Sequence, residues 1–105
     1  MANLPSNISL LNLQDYVRAS SLERGFENET VSEVFTILVE EPGEMAKAIR
    51  KFNAQKTVSK SKSHNPPDEA ADVLWTFIDL CNRLDIDIEK AFRSKEAKNN
   101  KRKWQ

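Results

Sequence analysis

Apolar residues recur at helical spacing in four segments of the chain, and typical helix start and stop signals separate these segments. The first predicted helix covers about residues 9–23, and Gly25 follows at a position typical of a C-terminal cap. Thr30 and Glu33 match the S/T-x-x-E capping box, which predicts the start of a second helix. Two helices joined by a short turn are therefore predicted for the first half of the chain.

The apolar pattern of the second predicted helix continues through the dipeptide Pro42-Gly43, although Pro-Gly normally indicates a turn. A turn would give the pattern no reason to resume in phase, so we predict a single helix that is kinked at Pro42. The proline ring removes the backbone hydrogen bond to the carbonyl of Leu38, at a cost of about 3 kcal/mol. The apolar positions on which this prediction depends are Val31, Val34, Phe35, Leu38, Met45, Ala46, Ile49 and Phe52.

Residues 53–65 are polar and lack any apolar periodicity, which predicts a mobile loop. Asn65 followed by Pro66 is typical of an N-cap and the first residue of a helix, so a third helix is predicted from there to about Leu84. Its predicted apolar side comprises Ala70, Val73, Leu74, Phe77, Ile78, Leu80, Cys81 and Leu84. Its predicted polar side comprises Asp72, Thr76, Asp79 and Arg83.

A fourth, mostly charged helix is predicted after Asp87, a suitable N-cap, with Ile88, Ala91 and Phe92 packed against the other helices. The absence of a strand pattern predicts an all-α fold. A chain of 105 residues has room for one domain, 1–105. Because short helices with wide apolar faces cannot bury all of their apolar surface in so small a chain, we expect oligomerisation to complete the helical bundle.

Composition and charge exclude several classes of protein. Sixteen basic and sixteen acidic residues cancel, so no overall electrostatic field directs the chain to nucleic acid or to a membrane. The single cysteine, Cys81, excludes an intramolecular disulfide and a cysteine-based zinc site, and we expect it to be an inert core thiol. The first residues lack the basic segment of a signal peptide, and no apolar run is long enough for a membrane span. The expected location is the cytoplasm.

The second and third predicted helices each carry two carboxylates three residues apart, which places each pair on one side of its helix. These pairs are Glu41 with Glu44 and Glu69 with Asp72, and Glu40 lies four residues before Glu44. Helical rotation places Glu41 and Glu69 at the border of the apolar faces, so antiparallel packing can bring the pairs together. A single pair is more often a solvated helix face. Clustered carboxylates repel unless a cation neutralises them, and ligands that are all oxygen favour Mg²⁺ or Mn²⁺.

The acidic motifs carry a resemblance to a known family. "EEPGE" followed by "EAAD" resembles the E-E-x-x-E … E-x-x-D signature of the MazG-like, all-α nucleoside triphosphate pyrophosphohydrolases. The resemblance is specific because the two acidic motifs occur in the family's order and are accompanied by the flanking "ADVLW" and the closing "SKEAKNNKRKW". It extends from about Leu11 to Trp104. Pro42 departs from the family pattern, in which a helix-forming residue is usual.

The resemblance implies a four-helix MazG-like fold, a dimer or a tetramer built from dimers, and Mg²⁺-dependent cleavage of nucleoside triphosphates, with Mn²⁺ as a possible substitute. The implied products are the monophosphate and pyrophosphate, and the implied role is clearance of unwanted nucleotides. Glu40 matches a catalytic carboxylate that holds a further metal or orients the attacking water. The implied metal ligands are Glu41, Glu44, Glu69 and Asp72, and the implied substrate contacts are Lys95, Asn99 and Arg102.

Two alternatives remain open on the sequence alone. Phosphoribosyl-ATP pyrophosphohydrolase shares the fold and the acidic signature, but "ERGF" and "KNNKRKW" are more similar to MazG-like chains. A non-enzymatic helical module with a basic tail that binds nucleic acid belongs to a different class, and the carboxylates argue against it. We therefore expect no nucleic acid or membrane partner. Trp75 is placed to stack on a nucleobase, although a core or subunit contact is equally consistent with its position.

Overall fold

A computed structural model of the chain describes residues 2–54 and 65–102. Within these ranges the chain forms four α-helices and no β-strand, which confirms the predicted all-α fold. The predicted loop over 53–65 lies mostly outside the described residues, although Asn53 and Ala54 still belong to the second helix. None of the described helices is both long and apolar enough to cross a membrane. The helices are α1 (Leu10–Glu23), α2 (Val31–Ala54), α3 (Pro66–Arg83) and α4 (Ile88–Asn99).

Each helix begins at a side chain that accepts a hydrogen bond from a backbone N–H of the first turn, and such caps satisfy groups that the helix itself leaves unpaired. Ser9, Asn65 and Asp87 cap α1, α3 and α4 in this way. The predicted capping box at the start of α2 is confirmed. The Thr30 hydroxyl accepts from the Glu33 N–H at 3.1 Å, and the Glu33 carboxylate accepts from the Thr30 N–H at 2.8 Å.

The ends of α1 and α3 share a backbone motif in which a residue in the left-handed conformation reverses the chain. After α1 this residue is Gly25, with φ of 79°, and the Phe26 N–H donates back to the Ser21 carbonyl at 2.9 Å. After α3 it is Asp85, with φ of 57°, and the Ile86 N–H makes the corresponding bond. The predicted C-cap at Gly25 is thus confirmed, and it sets the direction in which the α1–α2 turn leaves the helix.

The second helix is continuous through Pro42, as the phase of the apolar pattern predicts. It runs for 24 residues as Val31–Ala54, with Pro42 inside, so no turn separates the residues on either side. The bend at Pro42 stays a prediction. The helix packs along α3, which also contacts α1, while α4 packs against α1.

The apolar core of the single chain is small. Among the described residues, the buried apolar side chains are Val17, Val34, Ala48, Ile78, Leu80 and Cys81. Much of the apolar pattern predicted for α2 and α3 faces outward, with Phe35 53% and Leu74 48% exposed. The radius of gyration of 16.6 Å exceeds the roughly 13 Å of a compact domain of about 100 residues. The single chain therefore leaves apolar surface that its own helices do not cover.

Polar contacts rather than apolar packing hold the start of α4. The buried Gln14 side chain donates to the Ile86 carbonyl at 2.8 Å and to Asn82 Oδ1 at 2.9 Å. Its Oε1 accepts from the Ile88 N–H at 2.9 Å. The prediction that Phe92 packs against the other helices is wrong, because Phe92 is 65% exposed and no residue of α4 is buried.

The continuity of α2 predicts the effect of replacing Gly43, an interior residue of the helix. A Cβ built on Gly43 meets nothing within 4 Å, so Gly43→Ala should stabilise the protein by about 0.5–1 kcal/mol, the usual difference between the two residues in a helix. Chemical denaturation measures the change. Gly25→Ala is the control, and it should destabilise because Gly25 has a positive φ. A loss of stability in Gly43→Ala would contradict a continuous α2.

Candidate active site

The packing of α2 along α3 brings three of the predicted carboxylates together. Glu41, Glu69 and Asp72 each offer an oxygen that lies within 4.8 Å of the oxygens of the other two. Glu69 and Asp72 share one side of α3 because they are three residues apart, and Glu41 faces them from α2. These three residues thus converge across the helix pair as the sequence predicts.

The carboxylates lie where charge is costly. Glu69 is only 6% exposed and Glu41 is half-buried, whereas Asp72 faces solvent. Burial raises the pKa of Glu41 above its ordinary value of 4.5, and the neighbouring charges of Asp72 and Glu69 raise the pKa further. This arrangement favours a bound proton or a bound cation over three free anions.

The other two acids of the motif on α2 lie farther from the centre of the cluster. Glu44 is half-buried. Its charge raises the pKa of Glu41 less than the charges of Asp72 and Glu69 do, and the charge of Glu40 raises it least. Neither belongs to the group of oxygens within 4.8 Å. Glu44 therefore lies close enough to interact electrostatically with the cluster, while the exposed Glu40 lies at its edge.

The predicted substrate residues of α4 are not brought to this cluster within one chain. Lys95 is exposed, and the Asn99 amide donates to Glu96 Oε2 at 2.9 Å. Because α4 packs on α1, the cavity that adjoins the carboxylates is not lined by Lys95, Asn99 or Arg102.

A pocket of about 400 Å³ opens beside Glu41 and Asp72. Its aromatic wall consists of Phe26 and Trp75, whose rings meet edge to face with centroids 6.1 Å apart. The Arg24 guanidinium lies 5.4 Å from the centroid of the Trp75 ring. The Trp75 indole N–H is buried and has no hydrogen-bond partner among the described residues. The pocket therefore places flat apolar surface next to the carboxylates.

Sequence reasoning missed several residues of this pocket. Arg24, Phe26 and Glu29 line it from the α1–α2 turn, where no periodicity indicates a role. Thr76 and Asp79 were predicted on the polar side of α3, yet they are only 8% and 4% exposed. They are buried because the α1–α2 turn covers the polar side of α3. Asp79 lies four residues before Arg83, and this spacing is the signal that could have indicated a buried ion pair.

Comparison with known families agrees with this geometry. A family model described as the MazG nucleotide pyrophosphohydrolase domain matches residues 29–105, which contain α2, α3, α4 and all five acidic motif residues. The chain belongs to this family. The resemblance read from the motifs is thereby confirmed, and membership in the MazG family indicates a nucleotide pyrophosphohydrolase. No curated protein and no solved structure matches the chain.

The raised pKa of Glu41 predicts how the stability of the metal-free protein depends on pH. A carboxyl whose pKa is higher in the folded than in the unfolded state makes the folded state more stable as pH falls through the folded pKa. Glu41→Gln removes the charge, so this variant should be more stable than the wild type at pH 7. The difference in stability between the two proteins should vanish at about pH 4.5, the ordinary pKa of this carboxyl. Thermal unfolding at the two pH values, in the presence of a chelator, measures this difference.

Glu27→Gln is the matched control for this prediction, because Glu27 is an exposed glutamate of the α1–α2 turn outside the carboxylate cluster. It should show no comparable stabilisation at pH 7. If the metal-free Glu41→Gln protein were less stable than the wild type at pH 7, repulsion within the cluster would be refuted.

Proposed function

We propose that this MazG domain hydrolyses nucleoside or deoxynucleoside triphosphates to the monophosphate and pyrophosphate in the presence of Mg²⁺, with Mn²⁺ as a substitute. The observation that carries the proposal is the convergence of Glu41, Glu69 and Asp72 beside an aromatic pocket. The cellular role that we propose is removal of unwanted nucleotides from the pool.

The donor set suits a hard divalent cation. Carboxylate oxygens are the ligands that Mg²⁺ prefers, and His and Cys are absent from the cluster. We propose that Glu41, Glu69 and Asp72 hold the ion together with Glu44, which lies one helical turn from Glu41. When bound, Mg²⁺ neutralises phosphate charge and lowers the pKa of water.

The pocket offers a place for the nucleoside part of the substrate. Phe26 and Trp75 provide ring surface against which a base can stack. The carboxylates border the same pocket, so the phosphates of a nucleotide held there would extend toward them. We propose that Glu40, exposed at the edge of the cluster, orients the attacking water and accepts its proton.

Association of two copies would cover the apolar stripes that one chain leaves open. On α2 the exposed side chains at helical spacing include Val31, Phe35, Val39 and Ile49, between 40% and 60% exposed. On α3 the corresponding stripe includes Leu74, Phe77 and Leu84, between 41% and 48% exposed. A monomeric protein rarely exposes so much contiguous apolar surface, and we propose that a second copy covers it.

The same association offers a role for the basic residues of the last helix. In the single chain α4 lies on α1, away from the carboxylates. We propose that Lys95, Asn99 and Arg102 contact the phosphates of a substrate bound to a neighbouring copy. Cations and an amide suit the oxygens of a polyphosphate.

The proposed reaction predicts a sharp dependence on Asp72. Wild-type protein with Mg²⁺ should release pyrophosphate from at least one nucleotide of a panel that includes canonical and damaged deoxynucleotides and phosphoribosyl-ATP. Asp72→Asn should lower kcat/KM by at least about 100-fold, since a metal contributes several kcal/mol to transition-state stabilisation. Helicity by circular dichroism should be unchanged.

Asp68→Asn is the matched control in this assay, because Asp68 lies one turn before Asp72 on α3, is exposed and is outside the cluster. It should retain wild-type turnover. Equal turnover in Asp72→Asn and the wild type would reject the site, and exclusive cleavage of phosphoribosyl-ATP would favour the alternative substrate.

The proposed assembly predicts that sedimentation at micromolar concentration shows a dimer or a larger species without a substantial monomer. Phe35→Glu should shift the protein toward monomer, since Phe35 is 53% exposed in the single chain and a charge there opposes burial against a second copy. Leu22→Glu is the control, because Leu22 is 56% exposed on α1 and lies outside both stripes. A wild-type monomer that hydrolyses nucleotides would contradict the proposed assembly but not the proposed reaction.

A further inference from the structure

Arg83, the last residue of α3, connects this helix to the segment that follows α1. Its side chain is 14% exposed, and its Nε lies 3.2 Å from Oδ2 of Asp79, which is itself buried. One terminal nitrogen donates to the Phe26 carbonyl at 2.7 Å, and the other donates to the Glu29 carbonyl. A fourth partner is the Ser21 hydroxyl at 3.3 Å. One guanidinium therefore bonds two helices and both ends of a four-residue segment, 26–29.

Apart from Arg83, the segment is held at its first residue, where the Phe26 N–H donates to the Ser21 carbonyl and the Phe26 ring contacts Trp75. It begins at the left-handed Gly25 and ends before the N-cap of α2, and its one internal backbone bond runs from the Glu29 N–H to the Phe26 carbonyl at 3.1 Å. The planar fork of arginine suits two fixed acceptors at once, and the ion pair with Asp79 fixes the direction of the fork. Loss of the guanidinium would leave both carbonyls without that donor.

The residues at both ends of the segment line the pocket beside the carboxylates. Phe26 forms the aromatic wall with Trp75, and Glu29 lines the same cavity. Arg83 does not line this cavity and does not belong to the carboxylate cluster. Any effect of Arg83 on a nucleotide must therefore pass through the residues that it holds, which are the segment 26–29 and Asp79, itself part of the cavity lining.

We propose that Arg83 is a positioning residue for nucleotide binding: by holding the Phe26 and Glu29 carbonyls it fixes the pocket wall next to Trp75. The inference rests on the proposed function. Removing the guanidinium weakens binding of the nucleotide and leaves the carboxylates in place to cleave what is bound, so KM rises while kcat is preserved.

A second buried polar side chain provides a matched control for a purely structural role. Gln14 is 4% exposed and makes three side-chain hydrogen bonds that connect α1 with the end of α3 and the start of α4. Neither Gln14 nor its partners line the pocket beside the carboxylates. Its loss should destabilise the fold without moving the pocket wall.

The experiment compares Arg83→Lys, Arg83→Met and Gln14→Met in steady-state hydrolysis of the best nucleotide substrate with saturating Mg²⁺. Lysine keeps a positive charge beside Asp79 but cannot reproduce the fork, so its KM should lie between those of the wild type and Arg83→Met. We expect KM to rise about tenfold or more in Arg83→Met with kcat within about twofold. Gln14→Met should lower the melting temperature without changing KM.

Limited digestion with trypsin gives a readout that does not depend on activity. Arg24 is exposed at the turn, so cleavage of the Arg24–Gly25 bond, followed by mass spectrometry, reports whether the adjoining segment is held. Cleavage there should be faster in the Arg83 variants and unchanged in Gln14→Met. Should Arg83→Met fail to fold because Asp79 is left buried and unpaired, Arg83→Lys, which keeps a positive charge beside Asp79, provides the comparison with the wild type.

The outcomes separate the inference from the proposed function. Absence of wild-type turnover on every nucleotide would reject the proposed function and the inference with it. Wild-type turnover with unchanged KM in the Arg83 variants would reject the inference alone. A fall in kcat with constant KM, or an equal rise of KM in Gln14→Met, would also overturn it.

Discussion

The close packing of α2 along α3 is the constraint on which the rest of the structure depends, because it places like charges together within the folded protein. Three carboxylate oxygens within 4.8 Å of one another oppose the association of the two helices unless a proton or a cation neutralises them. The buried side chains that hold the helices together, such as Val34, Ala48 and Ile78, are few and mostly of moderate size. The pair therefore has little internal packing with which to offset its own repulsion.

Because few apolar side chains are buried between the two helices, partners that bind the folded chain from outside can add stability in two ways. A divalent cation that binds the folded cluster would stabilise it by mass action, and a second copy that covers the stripes of α2 and α3 would do so as well. Both effects act on the same helix pair, so metal binding and association should reinforce each other. Under the proposed function, the exposed apolar residues and the carboxylate cluster are thus two features of one helix pair that metal binding and association would each stabilise.

The helices themselves could be predicted from the sequence because their signals are local. The capping box of Thr30 and Glu33, the glycine at the end of α1 and the phase of the pattern across Pro42 involve residues within a few turns of one another. The convergence of Glu41 with Glu69 and Asp72 could also be predicted, because i, i+3 spacing and antiparallel packing leave few alternatives.

What could not be predicted depends on contacts between residues far apart in the chain. The burial of Asp79 results from Arg83, which bonds carbonyls more than 50 residues earlier in the sequence. The exposure of Phe92 results from α4 being held at its first turn by Gln14, and periodicity contains no information on either contact. Apolar patterning also cannot show which residues of a stripe face the chain's own core and which would face a second copy.

The carboxylates and the aromatic pocket lie on parts of the chain with different kinds of constraint. The carboxylates lie on regular helices inside the matched family span of 29–105, where helical spacing fixes their relation. Arg24 and Phe26 precede that span and belong to an irregular turn whose Phe26 and Glu29 carbonyls accept hydrogen bonds from Arg83 of α3. Changes in that turn can alter the pocket while the carboxylates keep their places on the helices. Family membership indicates a nucleotide pyrophosphohydrolase, and under the proposed function the choice of base would depend on the turn and on Trp75.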